Sequence, residues 1–346
     1  MSLTQKALVV FEIGSRVVLI NDRPVSQPQP NQVQLKVTVA GINPHDQKGR
    51  DHGIHIVPHL PAVITNDVVG KVTKLGKGVK GIEVGDRIVS HATYVTDRTQ
   101  NGLQEYALAD ISASAKIPDS ITDDEAATLP SNLIPPVVAI FKVLKIPAPW
   151  SLLAKDFDYA NTMILIVGGG SNCGRFGVQV AKLAGIGKIV VVGGSEAELV
   201  SYGATHVIDR HGDNDVVLGR IRDVVADDLL YAFDTVNYPD GQILALNALS
   251  NSKRGAMARL LPTGPVDDSK VHGKMAGFDV RGVFGSSHMH PEITEKFWEL
   301  IPDYLETGKI RPLKYVVKHG LDASIVNEVL DNYRDGKPVT KTHIHL

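Results

Sequence analysis

A run of glycines between an apolar strand and an amphipathic helix is the feature that most limits how this chain can fold. Residues 163–167 form a short apolar run typical of a buried strand, and Gly168 to Gly170 follow it directly. An amphipathic helix then begins near Asn172. Glycine permits a tight turn and lets a phosphate approach the backbone, while a helix start offers unpaired N–H groups and a partial positive charge. The pattern predicts a site for an anionic ligand, and a dinucleotide pyrophosphate is the expected one.

The spacing of these glycines departs from the usual dinucleotide fingerprint, G-x-G-x-x-G. Cys173 stands where the third glycine would be, and Gly174 follows it. We expect Cys173 to act as a small apolar residue at the helix start rather than as a nucleophile, although a helix N-terminus can lower a thiol pKa. The residues expected to contact the cofactor here are Gly168, Gly169, Gly170, Ser171, Asn172, Cys173 and Gly174.

Length and charge exclude several classes of protein. A chain of 346 residues is too long for one ordinary core, which predicts two domains. The formal net charge of -2 leaves no basic excess for nucleic acid or acidic membranes. A single cysteine rules out an internal disulfide and a cysteine-based zinc cluster. With no signal-peptide pattern and no uncharged apolar run near ~18 residues, we expect a cytoplasmic protein that binds a small-molecule substrate.

The strand patterns divide the chain into a β-rich part and an alternating part. Before about residue 125, short alternating or β-branched runs predict a partly open antiparallel barrel, with strands at 6–11, 16–20, 32–39, 68–74, 87–90 and 104–109. From about 160 to 285, strands alternate with helices, which predicts a doubly wound parallel sheet with its ligand at the carboxyl ends of the strands. The strands expected there are 163–167, 188–192, 206–208, 229–234, 256–261 and 280–284, with helices from 172, at 196–202 and at 241–249.

The remaining segment predicts two further helices and a strand. The helices are expected at 292–306 and from Asp322 to about 333, and the strand at 315–318. Asp322 is a suitable N-cap for the second helix. An earlier helix is expected from about Thr122, because three acidic residues follow it and favour a first helical turn.

Seven motifs, spread in order along nearly the whole chain, together resemble the medium-chain dehydrogenase/reductase superfamily. They lie at 40–48, 66–72, 84–89, 102–107, 126–130, 202–209 and 308–312, around the glycine turn. The chain is most similar to the zinc-independent quinone oxidoreductase and enoyl reductase branch, and within it to fungal enoyl-reductase-like members. The resemblance implies an α/β fold with three parts: a GroES-like, partly open β-barrel catalytic domain (1–125), a Rossmann doubly wound parallel sheet (126–285) and a C-terminal segment (286–346) that returns to the catalytic domain. It also implies a homodimer.

The resemblance also implies that the protein holds no zinc. Zinc-dependent members place a cysteine where Asn43 stands and a His-Glu pair where Asn66 and Asp67 stand. His52 has two histidine neighbours, at 55 and 59, but the prolines at 58 and 61 argue against a helical metal-binding pair. We expect these histidines to lie on a solvated loop over the cleft, and no metal site.

Reduction of a C=C bond conjugated to a carbonyl needs no Lewis acid, because hydrogen-bond donors can hold the developing enolate. By resemblance, Lys48 is the first candidate to bind the enolate oxygen or orient the nicotinamide, and Asn43 could bond the ribose or the substrate carbonyl. Relatives place a tyrosine proton donor shortly after this motif, and 49–57 contains none. His52, His55 or an ordered water could replace it. The catalytic candidates are therefore Lys48, Asn43 and His52.

The end of the second Rossmann strand favours NADPH over NADH. An NAD site normally carries an acid there, and the sequence has Gly193-Gly194-Ser195 instead. Ser195 is expected to contact the 2′-phosphate, although Glu196 stands close and a neighbouring basic residue is missing. By resemblance, Phe284 and Gly285 lie beside the nicotinamide, and Lys341 contacts the cofactor.

The sequence leaves three functions open. The first is an NADPH-dependent, metal-free reductase of α,β-unsaturated carbonyl compounds, including enone, enoyl and quinone-like substrates. The second is a zinc-free carbonyl or quinone reductase. The third is a dinucleotide-binding protein without turnover, which the missing tyrosine and the unusual Pro135-Pro136 pair keep open.

Overall fold

The computed structural model describes residues 3–94, 98–261 and 263–346. The strands are β1 (Thr4–Val10), β2 (Val18–Pro24), β3 (Gln32–Ile42), β4 (Ala62–Val63), β5 (Asp67–Leu75), β6 (Arg87–His91), β7 (Tyr106–Asp110), β8 (Ser114–Lys116), β9 (Met163–Val167), β10 (Lys188–Val192), β11 (His206–Ile208), β12 (Tyr231–Asp234), β13 (Gly255–Arg259), β14 (Phe278–Gly282), β15 (Tyr315–His319) and β16 (Lys341–His345).

The helices alternate with the strands most regularly between β9 and β13. They are α1 (Pro44–His52), α2 (Asp123–Ala127), α3 (Pro130–Val137), α4 (Asn172–Ala184), α5 (Glu196–Tyr202), α6 (Asn214–Val225), α7 (Pro239–Ala248), α8 (Pro291–Glu306) and α9 (Ala323–Arg334). Among the described residues, no helix has both the length and the apolar character needed to cross a membrane.

The chain divides into two compact units. The first contains the described residues up to Ser131 together with Ser286–Thr307 and Pro312–Leu346. The second contains Asn132–Gly285 and the short link Gly308–Arg311. Most of the C-terminal segment therefore lies in the same unit as the N-terminal strands.

The first unit is built from two sheets. In the part of the chain that the structure describes, the larger sheet has the strand order β15-β16-β3-β5-β6-β8, with β7 also paired to β3, and the smaller has the order β2-β1-β4. Every pairing is antiparallel except β15 with β16. Val33, Leu35 and Val37 alternate along β3 and pack against Val72 and Ile88 in one apolar cluster. The sheet-rich first domain predicted from sequence is confirmed.

The second unit holds a parallel sheet with the strand order β11-β10-β9-β12-β13-β14. Numbered from the first strand of this unit, the order is 3-2-1-4-5-6, which is the Rossmann arrangement. The apolar strand at 163–167 lies at its centre, where it pairs with both β10 and β12. The predicted doubly wound parallel sheet is confirmed, and the glycine turn follows its central strand.

Helices α1 and α6 are among those missed from sequence. Helix α6 is capped by Asp213, whose side chain accepts a hydrogen bond from the Val216 N–H. Its buried Val217, Ile221 and Val225 recur every four residues, a helical spacing that the sequence does display. Helix α1 was hidden because its buried face is polar rather than apolar, so the hydrophobic pattern gave no signal.

Helix α1 also corrects the expected loop around the three neighbouring histidines. His52 is the last residue of α1, and 57–59 form a short 3₁₀ turn. Gly53 ends the helix with φ of 75°, a left-handed conformation that glycine adopts without strain. The expectation that His52 lies on a loop is wrong, because α1 continues to His52 and ends only at the Gly53 cap.

Strand limits differ from the prediction where pairing decides them. Strand β2 was expected at 16–20 but runs from Val18 to Pro24, because it pairs with β1 as far as Thr4 opposite Pro24.

The helix expected from Thr122 is confirmed. Thr122 caps α2: its hydroxyl accepts a hydrogen bond from the Glu125 N–H at 3.1 Å, and its own N–H donates to the Glu125 carboxylate at 2.8 Å.

Arg50 joins α1 to α9 inside the first unit. Its side chain is 2% exposed, and its guanidinium contacts Asp331 at 2.8 Å, Asp51 at 2.6 Å and the Asn327 side-chain oxygen at 3.3 Å. Burial alone would lower the pKa of Arg50, but the two carboxylates raise it. The charge is therefore retained and shared between the two helices.

We expect Arg50→Ala to lower the free energy of unfolding by about 1.5–3 kcal/mol, because it removes the charged hydrogen bonds that one buried guanidinium makes to Asp51 and Asp331. Arg16→Ala is the matched control, since Arg16 contacts the same carboxylate at 3.3 Å but is 66% exposed. Its effect should stay below about 1 kcal/mol. Urea denaturation of both variants measures the difference, and equal losses would contradict this role for Arg50.

Candidate active site

The conformation of the glycine turn is fixed by a left-handed glycine and by hydrogen bonds from neighbouring side chains. Gly168 has φ of +92°, which favours glycine. Ser171 caps α4 by accepting a hydrogen bond from the Gly174 N–H at 2.9 Å. Thr235, which follows β12, donates to the Val167 carbonyl at 2.9 Å and bonds the Ser171 hydroxyl at 2.9 Å. The turn therefore presents the N-terminus of a long helix in a fixed position.

The glycines of the turn have different roles. A Cβ on Gly174 would overlap the carbonyl oxygen of Gly168, and one on Gly169 would overlap the Val191 side chain. These two glycines allow the helix and the strands to pack closely. Gly170 is exposed, and a Cβ there would meet only Gly194, at 3.5 Å. The space beside Gly170 and the α4 N-terminus therefore fits an approaching pyrophosphate.

The other predicted residues of the turn lie on the first turn of α4. Asn172 accepts a hydrogen bond from Arg175 at 3.4 Å, and Cys173 is half-buried. Arg175 also donates to the Gly170 carbonyl at 2.6 Å and pairs with Glu198 at 2.9 Å. Arg175 was not predicted from sequence, although its position one turn into α4 could have indicated it.

A second unpredicted arginine lies at the end of the neighbouring strand. Strands β10 and β11 are parallel, with Val192 opposite Ile208, so the residues after each strand are neighbours. A Cβ on Gly193 would lie 3.1 Å from Cδ of Arg210. Ser195 is exposed at the start of α5. Arg210, which follows β11, therefore brings a basic side chain beside Gly193, two residues before Ser195.

Phe284 and Gly285 follow the last strand of the parallel sheet. Phe284 is 38% exposed, and a Cβ on Gly285 would overlap the ring of Pro135 on α3. Gly285 thus permits close packing against the unusual proline pair. The structure places both residues in the second unit, with the glycine turn.

Lys341, by contrast, lies in the first unit, in a buried cluster with Asn43 and Asp67. Lys341 and Asp67 are 1% and 0% exposed and form an ion pair. Asn43 donates to Asp67 at 2.8 Å and accepts from the Lys341 ammonium at 2.8 Å, and the Ser131 N–H donates to Asp67 at 2.6 Å. Burial would raise the pKa of Asp67, but Lys341 and these hydrogen bonds lower it to about 2.

Helix α1 begins directly after Asn43 and carries the other catalytic candidates. Lys48 is half-buried, and its ammonium makes no hydrogen bond or ion pair with other described side chains. His52 is exposed at the far end of the helix. The structure therefore brings Asn43 and Lys341 together, leaves the Lys48 ammonium available, and does not join His52 to them.

A tyrosine surrounded by three histidines lies beside the first turn of α1. The Tyr94 ring is 5.6 Å from those of His45 and His91 and 5.0 Å from that of His55, between ring centroids. Burial lowers the pKa of His55 to about 4 and that of His91 to about 3. Both rings are neutral near pH 7. His45 and His91 were missed from sequence, because only the register of β5 and β6 sets His91 opposite Asp67.

The side chains at the positions of zinc ligands in relatives form hydrogen bonds and ion pairs within the protein. Asn66 donates to the carbonyl of Ala92 at 2.8 Å and accepts from His45 at 3.1 Å. Asp67 and Asn43 are bound by Lys341, as described above. Within the described residues, no three His, Cys, Asp or Glu side chains gather in a way that could hold a metal ion. These residues do not fit a zinc ion.

Comparison with known proteins agrees with this arrangement. Residues 29–119 match the family described as the alcohol dehydrogenase GroES-like domain. The chain is 32% identical over 254 residues to the trans-enoyl reductase tazE of Aspergillus terreus, covering 70% of this chain and 80% of that protein. It is 30% identical over 347 residues to the dehydrogenase orsE of Emericella nidulans, covering 94% and 95%. The chain belongs to the medium-chain dehydrogenase/reductase superfamily.

Membership of this superfamily makes the protein an oxidoreductase, as the sequence predicted. The solved structure of mycobacterial Rv1454c complexed with NADPH matches the chain with a TM-score of 0.74, at 22% identity, over 99% of this chain and 100% of that one. At that identity the likeness establishes the fold alone. The GroES-like and Rossmann parts of the superfamily fold correspond to the two units described above.

Two neutral histidines, the buried His91 and the half-buried His55, predict a loss of stability in mild acid. His91 and His55 have pKa values of about 3 and about 4 in the folded protein, below the ordinary value of 6.5. As the pH falls below 6.5, these histidines take up protons in the unfolded chain before they do so in the folded protein. Their contribution to the free energy of unfolding is therefore complete above pH 6.5 and declines as the pH falls towards the folded pKa values. The free energy of unfolding falls by at most about 1.4 kcal/mol per pH unit for each such group. Asp67 adds to the decline only below 3.8.

We expect His91→Gln to make this decline between pH 6.5 and 4 shallower, because one buried titrating group is removed. Urea denaturation at a series of pH values measures the slope, which is independent of any constant loss of stability in the variant. His272→Gln, at an exposed position, is the control and should leave the slope unchanged. An unaltered slope in His91→Gln would show that His91 is not buried as a neutral ring.

Proposed function

We propose that this protein is an NADPH-dependent reductase of α,β-unsaturated carbonyl compounds that acts by direct hydride transfer without a metal. The observation that carries the proposal is the buried Asn43–Asp67–Lys341 cluster. Where zinc-dependent relatives present ligands, this chain holds an internal ammonium. No Lewis acid stabilises an alkoxide there, whereas an enolate needs only hydrogen-bond donors.

The printed names of the relatives support this class of reaction. One is a trans-enoyl reductase and another a dehydrogenase. A trans-enoyl substrate carries a C=C bond next to a carbonyl, so the same chemistry extends to enones and quinone-like compounds. The protein would take a small-molecule substrate of this kind. The cytoplasmic location and the homodimer stay predictions.

The second unit provides the cofactor site in this proposal. When bound, a nicotinamide dinucleotide supplies the hydride for the β-carbon of the substrate. The α4 N-terminus and the open face of Gly170 hold its pyrophosphate, because they offer N–H groups and no side chain. Ser171 keeps the turn in this conformation through its bonds to Gly174 and Thr235.

In the first unit, Lys48 is the proposed donor to the enolate oxygen. Its ammonium is on a half-buried helix face and is not engaged by another described side chain. We assign Asn43 a different role from the one predicted, because its amide already bonds Asp67 and Lys341. We assign Asn43 and Lys341 to positioning the start of α1, rather than to contact with substrate or cofactor. Asp46 braces the same turn by accepting from the Asn43 and Thr65 N–H groups.

Arg210 supports NADPH over NADH. No acid follows β10, and Arg210 lies against Gly193 where the 2′-phosphate of the adenosine ribose would lie in a Rossmann site. A guanidinium binds phosphate oxygens strongly. Glu196 is exposed nearby and opposes the preference, but the atoms nearest to a Cβ on Gly193 all belong to Arg210.

Product analysis tests the reaction. We expect purified protein with NADPH to convert enones, enals or enoyl thioesters to products saturated at the C=C bond. Mass and NMR analysis of the products distinguishes the alternatives. Alcohol or hydroquinone as the sole product would favour the carbonyl or quinone reductase, and cofactor binding without oxidation across the panel would favour a protein without turnover.

The variant Arg210→Ser tests the preference for NADPH over NADH. The loss of a charged hydrogen-bond partner costs about 1.5–3 kcal/mol, so NADPH affinity should fall roughly tenfold to a hundredfold or more, with NADH affinity unchanged. Fluorescence titration with each cofactor measures both constants. Arg254→Ser is the control, because Arg254 is 60% exposed just before β13, at the amino-terminal edge of the same sheet. Tighter binding of NADH than NADPH by the unmodified protein would overturn the preference.

A further inference from the structure

A chain of hydrogen bonds runs from a buried tryptophan to the hydroxyl of Tyr94. The Trp298 indole N–H bonds the Ser287 hydroxyl at 2.9 Å, and that hydroxyl bonds Nδ1 of His91 at 3.0 Å. Nε2 of His91 bonds the Tyr94 hydroxyl at 3.3 Å. Trp298, Ser287 and His91 are each at most 2% exposed. All four residues belong to the first unit.

The donors and acceptors in this chain favour one direction for its protons. An indole N–H can only donate, so the Ser287 oxygen accepts from Trp298. The proton of the buried Ser287 hydroxyl needs an acceptor, and Nδ1 of His91 is its other partner among the described residues, so we infer that Ser287 donates to Nδ1. His91 is a neutral ring, so its single proton is on Nε2 and is donated to Tyr94. The Tyr94 oxygen is therefore an acceptor in this bond, and its own proton points in another direction.

Tyr94 is the partly exposed end of this buried chain. Its ring contacts His45, which is on the first turn of α1, three residues before Lys48 and so on the same helix face. The guanidinium of Arg98 is 1% exposed and interacts electrostatically with Tyr94. A phenolate at Tyr94 would thus be attracted by this buried cation and would accept a hydrogen bond from His91.

We propose that Tyr94 is a catalytic residue, whose hydroxyl protonates the α-carbon of the unsaturated carbonyl substrate. His91 is the positioning residue that holds the Tyr94 oxygen, and Ser287 and Trp298 fix the His91 tautomer. The inference rests on the proposed function. It supplies the acid that the segment 49–57 lacks, and it replaces His52, which is exposed at the end of α1.

The proton transfer balances without a further reactant. Hydride addition at the β-carbon leaves an electron pair on the enolate. That pair forms a C–H bond at the α-carbon with the Tyr94 proton, and the carbonyl double bond is restored. The O–H electron pair stays on Tyr94 as a phenolate, which His91 and Arg98 stabilise. A proton from water then restores the hydroxyl before the next turnover.

Tyr94→Phe tests the acid while keeping the ring among the three histidines. We expect kcat to fall roughly 10²–10⁴-fold, with the affinity for NADPH unchanged in a fluorescence titration. In D₂O, with an α-methyl enone, the unmodified enzyme should add deuterium to the α-carbon in one configuration. The residual product of Tyr94→Phe should have mixed configuration there, because solvent reaches either face, while the β-carbon keeps one configuration.

Tyr315→Phe is the matched control, since Tyr315 also stacks on a histidine, His343, at 5.0 Å between centroids. It should retain the normal rate and configuration. Ser287→Ala provides a second variant with a readout apart from activity. Nitrogen NMR of histidine-labelled, cofactor-free protein should show His91 with its proton on Nε2, and Ser287→Ala should give a mixture of the two tautomers and a lower kcat.

The outcomes separate this inference from the proposed function. If the unmodified protein saturates a C=C bond and Tyr94→Phe does so at the same rate and with the same α-configuration, Tyr94 is not the acid and the proposed function stands. An Nδ1 proton on His91 in the unmodified protein would also overturn the inference. If no enone, enal or enoyl thioester is reduced, the proposed function fails and the role of Tyr94 fails with it.

Discussion

The buried ion pair between Lys341 and Asp67 is the interaction on which the first unit depends. Lys341 begins β16, Asn43 follows β3 and Asp67 begins β5, and these three strands are neighbours in one sheet. A buried carboxylate is tolerated only with a partner, so the last strand of the chain must pair beside β3 for Asp67 to remain charged. The same cluster sets the start of α1, because Asn43 is both a member of it and the residue before the helix.

This cluster also determines which chemistry the site can carry. The buried ammonium of Lys341 already supplies positive charge to Asp67, and Asn43 bonds both side chains. In the function we propose, the groups that act on the substrate are Lys48 on α1 and Tyr94, whose ring contacts His45 on the same helix. The buried His91 and the half-buried His55 beside Tyr94 are neutral near pH 7, so neither adds a positive charge to the interior there.

Sequence predicted the elements with a local signal and missed those with a non-local cause. The limits of β9, β10 and α5 follow from apolar runs, glycines and a helix start, and the structure agrees with them residue for residue. The helix α1 was missed because it buries Arg50 and Asp46 instead of an apolar stripe. Arg210 was missed because it approaches Gly193 only through the parallel pairing of β10 with β11. Lys341 was named from sequence, but its partners are on β5 and after β3, far away in the chain.

By itself, the sequence determined the superfamily, the parallel sheet with its glycine turn, and the oxidoreductase class, because each depends on short-range patterns or on the order of motifs. Only the tertiary structure decided which polar side chains meet. Three sets of contacts join residues from separate segments of the chain. They are the ion pair of Lys341 with Asp67, the hydrogen bonds that link Trp298, Ser287 and His91 to Tyr94, and the packing of Arg210 against Gly193. Strand register and burial create these contacts, and neither can be read from the residues that take part in them.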